Sequence, residues 1–166
     1  MGEPLAHPWK AAPMKALTLW RPWSDCIVRG PKAIENRDWE PPRRLVGGTI
    51  AIHGGKTWDR DGAFSILDLW ADVPNRVTSA EGVIGVARLV GVIDRSLAPG
   101  TGARLVFGMR DEVAAAVKGC EIWWGGSIGW VFDQRRALPA PVPCKGAQGL
   151  WNLPADVEAA VREQLR

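Results

Sequence analysis

Tyrosine is absent from this 166-residue chain, histidine occurs twice and cysteine three times. With only His7 and His53 beside Cys26, Cys120 and Cys144, and no CxxC pair, no zinc or iron ligand set can be assembled. An odd number of widely spaced cysteines reads as reduced thiols in a cytoplasmic protein. Long apolar runs are missing as well. The longest, "GVIGVARLVGVI", is interrupted by Arg88 and falls short of the roughly 18–20 residues a membrane span needs. The first thirteen residues lack the basic-then-apolar layout of a signal peptide, and Ala6 stands where a myristoylation signal places Ser or Thr. These absences predict a cytoplasmic protein with no metal, no cofactor and no membrane partner.

Tryptophan, by contrast, is abundant. Ten of these residues supply flat apolar faces that serve a core and serve equally well for stacking on bases. The formal charge of +3 and a pI near 9.0 suit a phosphate-bearing partner without demanding one, because clustering matters more than totals. The length fits one domain with one core. Three prolines within the first thirteen residues predict a flexible tail over 1–13, followed by a single domain over 14–166.

The apolar periodicity predicts mainly strands. "KALTLW" (15–20) alternates as a first strand, and a short helix follows over about 22–29, with Pro22 at its start and Gly30 as its stop. Residues 33–39 and 47–55 read as strands, and 58–73 as a helix with Phe64, Leu67 and Trp70 at helical spacing. The longest strand signal is 82–95, with Gly85 and Gly91 as bend positions. Gly100 to Gly108 reads as loop, 110–119 as a short helix, 127–138 as a strand, and "PVPCKGAQGLWNL" as an extended return. A terminal amphipathic helix closes the chain, with Val157 and Val161 packing inward. Glycine-cornered strands in this order predict an α+β, mainly β fold: a partly open β-barrel with short flanking helices. Trp70, Trp130 and Trp151 are expected in the core.

Two familiar patterns fail. "HGGKT" (53–57) ends like a phosphate-cradling loop, but Ile50 occupies the position of the required first glycine. "GGSIG" (125–129) matches a nucleophile elbow around Ser127, yet both histidines precede that serine, leaving no base after it in the chain.

"GPKAIENRDW" (30–39) is more informative. In a strand, Glu35, Arg37 and Trp39 share one face and Ile34 and Asn36 the other, with Glu35 and Arg37 roughly 7 Å apart. Lys32 at the preceding turn can bend to either face. "WRPW" (20–23) brings Trp20, Arg21 and Trp23 to the helix feeding this turn, and His53 and Lys56 end the next strand. One carboxylate, several cations and flat aromatics can stack a base, bond its edge and hold phosphate outside. In this reading Lys32, Arg37, Arg21 and Lys56 contact phosphate or base edges. Trp20, Trp23 or Trp39 stack, and Glu35 accepts from an exocyclic amine.

The chain resembles the ASCH (activating signal cointegrator homology) family of the PUA-like superfamily. The resemblance lies in "LTLWRPWSDCIVRGPKAIENRDW" with its G-x-K-x-x-E-x-R core (Gly30, Lys32, Glu35, Arg37), in "IAIHGGK", in "GWVFD" and in "PCKGAQGLWNLP". It spans about residues 15–154 and implies a PUA-like barrel whose cleft binds RNA, DNA or a modified nucleoside. Enzymes occur in the family, which implies an alternative: hydrolysis of RNA or of an acylated nucleoside, with Lys32 as base and Glu35 as acid/base or orienter. In the group that deacetylates N4-acetylcytidine the nucleophilic threonine falls where this chain has Glu35, and a carboxylate does not replace a threonine Oγ. For RNA cleavage, Lys32, Lys56 and Ser127 are the candidates. A third reading makes the terminal helix a protein-interaction surface.

Overall fold

Strand β1 (Lys15–Arg21) pairs in parallel with β3 (Thr49–Trp58), and every other pairing in the sheet is antiparallel. The computed structural model describes residues 12–95 and 103–166. The remaining elements are α1 (Trp23–Val28), β2 (Ile34–Arg37), α2 (Arg60–Leu67), β4 (Gly82–Arg95), β5 (Ala103–Gly108), α3 (Arg110–Val117), β6 (Ile128–Val142), β7 (Leu150–Asn152) and α4 (Ala155–Leu165). Their order across the sheet is β2-β6-β4-β3-β1-β7, with β5 on the distal half of β4. The result is an α+β, mainly β architecture: one curled, partly open barrel sheet flanked, among the described residues, by four short α-helices.

Period-two alternation sorts the core onto the two faces of the sheet. Leu17 and Leu19 of β1 and Ile50 and Ile52 of β3 enter a cluster with Ile27, Trp130 and Phe132. Ala16 and Ala51, one residue out of phase, face Val157 and Val161 of α4 instead. The terminal helix is therefore attached through its apolar stripe. Helix α1 is buried from Ser24 to Val28 and fills the curl of the sheet. The long pair β4 and β6 bends by register shifts at Val83/Gly85, Val86/Arg88 and Leu89/Gly91, so both glycines named from the sequence sit at bends.

Three expectations need correction. Residues 103–108 are a strand, not a loop; the rest of the expected loop, and the tail apart from residues 12 and 13, lie outside the described residues. Helix α2 buries Gly62 and Ile66, leaving Phe64 63% and Leu67 51% exposed. It ends before Trp70, which packs on the second core cluster from a turn. The core took the i, i+4 pair with the smaller residue because α2 lies close over Trp23, where a Cβ at position 62 would come within 2.8 Å of the ring. Finally, α1 ends at Val28 with Arg29 as its cap, so Gly30 follows the helix as expected but without a left-handed backbone. Its missing side chain admits the Trp70 ring, which a Cβ would meet at 2.8 Å.

Candidate functional site

The barrel is open where β7 runs out. β7 pairs with β1 only from Lys15 to Leu17, so from Thr18 onward the edge of β1 opposite β3 has no strand beside it among the described residues. Across that seam stands β2, itself an edge strand. Arg37 bridges the gap by donating from Nη2 to Thr18 O at 3.3 Å. A cleft of about 290 Å³ occupies the seam, lined by Thr18, Trp20, Trp23, Lys32, Glu35 and Arg37, with Asn36 and Leu19 completing it.

At its floor lies an ion triad. Lys32 is 2% exposed and donates from Nζ to Ile34 O at 2.5 Å and to Glu35 Oε2 at 2.9 Å. Glu35 Oε1 faces Arg37 Nε at 3.3 Å. That contact is an ion pair without an aligned hydrogen bond, so Arg37 Nε remains buried without a directed acceptor. Glu35 thus sits between two cations, and the triad carries one net positive charge. The expected shared face of Glu35 and Arg37 is present. The Lys32 ammonium also lies 5.7 Å from the centroid of Trp23, in cation–π range.

The supporting frame is built from backbone carbonyls. Arg135 on β6 reaches Ile27 O at 2.9 Å, Gly30 O at 2.7 Å and Lys32 O at 3.0 Å through a single Nη1, tying the end of α1 to the turn that presents Lys32. Burial pushes the Arg135 guanidinium down from its ordinary value. Asn36 donates to Trp123 O and accepts from the amides of Gly125 and Gly126, holding the loop before β6 against β2. Sequence reasoning placed Asn36 on the opposite face and did not single out Thr18 or Arg135. Asn36 lay within the quoted motif, whereas nothing local marks an arginine more than a hundred residues from the carbonyls it binds.

The other residues named from the sequence divide clearly. Trp20, 59% exposed, stands at the rim, and Trp23 forms a wall with its Nε1 donating to Asp59 Oδ2 at 2.8 Å. Arg21 does not line the cleft. It is buried and spends its donors on Gly55 O, Ser79 O and Lys56 O, with Glu81 at 3.3 Å. Trp39 also lies elsewhere, beyond the end of β2 and edge-on to Trp130 at 4.7 Å. Ser127 is exposed just before β6 and lines neither this cleft nor the neighbouring cavity. His53 and Lys56 line that second cavity, on the far side of Thr18. Trp130 is fully buried, while Trp70 and Trp151 are half-buried against core clusters.

Cys26 is buried beneath the cleft, and burial pushes its thiol up to about 12, so it offers no thiolate nucleophile. Among the described residues no three His, Cys, Asp or Glu side chains cluster as metal ligands, and no helix is long and apolar enough to cross a membrane.

Asp25, also on α1, accepts from Ser79 Oγ at 2.6 Å and pairs with Arg29 at 3.0 Å. Burial nevertheless raises its carboxyl above the ordinary 3.8, outweighing Ser79, Arg29 and Arg21. A carboxyl raised on folding gives a contribution that is complete below its unfolded value and is lost as pH rises through the folded one. Asp25→Asn is therefore expected to gain stability relative to wild type as pH climbs above 3.8, levelling off once Asp25 is ionised. Urea melts of both proteins across that range check this; a pH-independent difference would contradict it.

No family model matches the chain, and no curated protein matches it. Among solved structures it is similar to the crystal structure of ASCH from Zymomonas mobilis, at 14% identity and a TM-score of 0.48, covering 92% of this chain and 93% of that one. It is likewise similar to a tyrosine-to-phenylalanine variant of that protein (14% identity, TM-score 0.48, 91% and 97% covered). A serine-to-alanine variant gives 15% identity and a TM-score of 0.44, with 92% and 96% covered.

Proposed function

We propose that this protein binds nucleic acid, RNA in the first instance, by seating one base of the ligand in the lysine–glutamate–arginine cleft. The observation that carries this reading is the exposed Trp20 standing beside a buried, net-positive ion triad at an unclosed barrel seam. Trp20 supplies the stacking face. Each Glu35 oxygen keeps a second lone pair for an exocyclic amine, and Arg37 Nη1, which has no acceptor among the described residues, can donate to a base carbonyl or a phosphate. A modified nucleoside would use the same groups.

Binding is favoured over hydrolysis by the surroundings of the triad. Lys32 Nζ already donates to two oxygens, Ser127 stands off the cleft, and His53 lies behind Thr18. The hydroxyl of Thr18, which lines the cleft, is engaged by Trp151 Nε1 at 3.1 Å. Among the described residues Lys32 Nζ bonds neither it nor the Cys26 thiol, which leaves the hydrolase alternative without a nucleophile held by Lys32.

Because Trp20 is largely solvent-exposed, Trp20→Ala should leave the fold intact and weaken single-stranded RNA binding roughly tenfold, as expected for one lost base stack. Fluorescence anisotropy with end-labelled RNA measures this. Unchanged affinity in the variant, or no binding by wild type at low salt, would refute the reading.

A further inference from the structure

Thr18 is shared by two depressions. Behind the cleft, a cavity of about 800 Å³ opens between the end of β3 and the segment 143–148. His53 forms its inner wall. It is 4% exposed, lies edge-on to Trp151 at 5.6 Å, and its Nε2 bonds Cys144 O at 3.0 Å. Since a carbonyl only accepts, Nε2 donates, and the buried Nδ1 has no hydrogen-bond partner among the described residues. Gly146 closes over this ring so tightly that a Cβ there would meet it at 2.6 Å. His53 therefore holds the strap 143–148 in place and leaves the cavity mouth to its charged rim.

That rim is basic. Lys56 and Lys145 are exposed, and neither has an ion-pair partner among the described residues. Glu81, the acidic group of this rim, is engaged by Arg21 at 3.3 Å. Lys56 in turn belongs to a third depression, lined by Thr57, Trp58, Arg60 and Arg76. Both arginines are exposed and likewise lack an ion-pair partner among the described residues; the Arg60 guanidinium lies over the Phe64 ring at 6.0 Å. The nearby Asp59 is occupied by the Gly62 amide and Trp23 Nε1. Three depressions thus share lining residues in turn, Thr18 between the first and second and Lys56 between the second and third, and these four cations line the latter two.

We propose that these adjoining depressions form a track for the phosphodiester backbone of a single strand, with Lys145, Lys56, Arg60 and Arg76 pairing with its phosphates beyond the base held in the cleft. The ligand class is therefore a single-stranded oligonucleotide rather than a free nucleoside. A free nucleoside would leave four desolvatable cations without partners, whereas a strand neutralises them and releases its counterions. The track rests on the base-binding reading of the cleft.

The test is fluorescence anisotropy with labelled oligouridylates of one, two, four and eight nucleotides, and their DNA counterparts, over a salt series. Wild type, Lys56→Ala/Lys145→Ala, Arg60→Ala/Arg76→Ala and Trp20→Ala are compared; all five positions are exposed. Affinity of wild type is expected to rise with length. Each double variant should flatten that rise and reduce the salt slope by about 1.4, roughly 0.7 for each phosphate no longer neutralised. The slopes should match between RNA and DNA, and binding confined to one of them would name the strand's source. Equal wild-type affinity for one and eight nucleotides, still dependent on Trp20, would overturn the track and leave the cleft reading standing. Unchanged slopes in both double variants would do the same. Absence of all binding, or binding that needs the track but not Trp20, would overturn both.

Discussion

Glu35→Gln is expected to destabilise the protein by about 3 kcal/mol. The carboxylate is buried between Lys32 and Arg37, at 2.9 and 3.3 Å. Glutamine keeps the shape and a carbonyl acceptor but removes the charge, so a nearly inaccessible ammonium loses its counterion. A buried charge left without its partner costs far more than the intact pair contributes, because desolvation has already been incurred. The pair itself adds little net stability, and this gives a second, sharper expectation. Lys32→Met/Glu35→Gln removes both members, leaves Arg37 with a neutral acceptor, and should recover most of the lost stability. Affinity for RNA should not recover with it: Arg37 alone keeps the net charge of the floor at +1, but the Lys32 ammonium and the Glu35 carboxylate are both gone. Urea denaturation midpoints for the single and double variants measure the first part, and anisotropy the second. A double variant as unstable as Glu35→Gln would mean that packing, not charge pairing, sets the cost.

Arg135→Ala should cost about 3 kcal/mol, consistent with the loss of a charged donor from carbonyl acceptors. A single nitrogen serves Ile27 O, Gly30 O and Lys32 O, so its removal unties the end of α1 and the Lys32 turn together. Arg135→Lys should restore only part of this, because the ammonium stands on a shorter arm and lacks the planar fork. Global stability is read from denaturant melts. The local consequence is read by hydrogen exchange: amides near Lys32, whose own N–H bonds Cys26 O at 3.3 Å, should lose protection in Arg135→Ala beyond the global loss. Uniform loss across the chain would assign Arg135 a purely global role.

The strands were readable because their signal is local. Ile50–Ala51–Ile52 alternates between two core clusters as period two requires, and the register of β2 put Glu35 and Arg37 together as expected. Helix α2 misled because helical spacing marks more than one stripe in "DGAFSILDLW". Which stripe faces inward depended on how closely the helix approaches Trp23, and the chain does not state that locally. Arg21 and Lys32 show the same limit from opposite sides. Both are buried cations next to tryptophans, yet Arg21 is consumed by carbonyls of β3 and the turn before β4, while Lys32 lines a cleft.

By itself, the sequence determined the mainly β character of the domain, the bends at Gly85 and Gly91 and the grouping of Glu35 with Arg37, all of which follow from residue type and short-range periodicity; the fold brought Lys32 to that pair. Only the tertiary structure decided that β7 is too short to cover Thr18, and so where the barrel stays open. It also decided that Lys56, Lys145, Arg60 and Arg76, spread over nearly ninety positions, line two depressions that share Lys56. Cleft and track both arise where strands end in space, and the point at which one strand outruns its neighbour is a property of the pairing rather than of either segment.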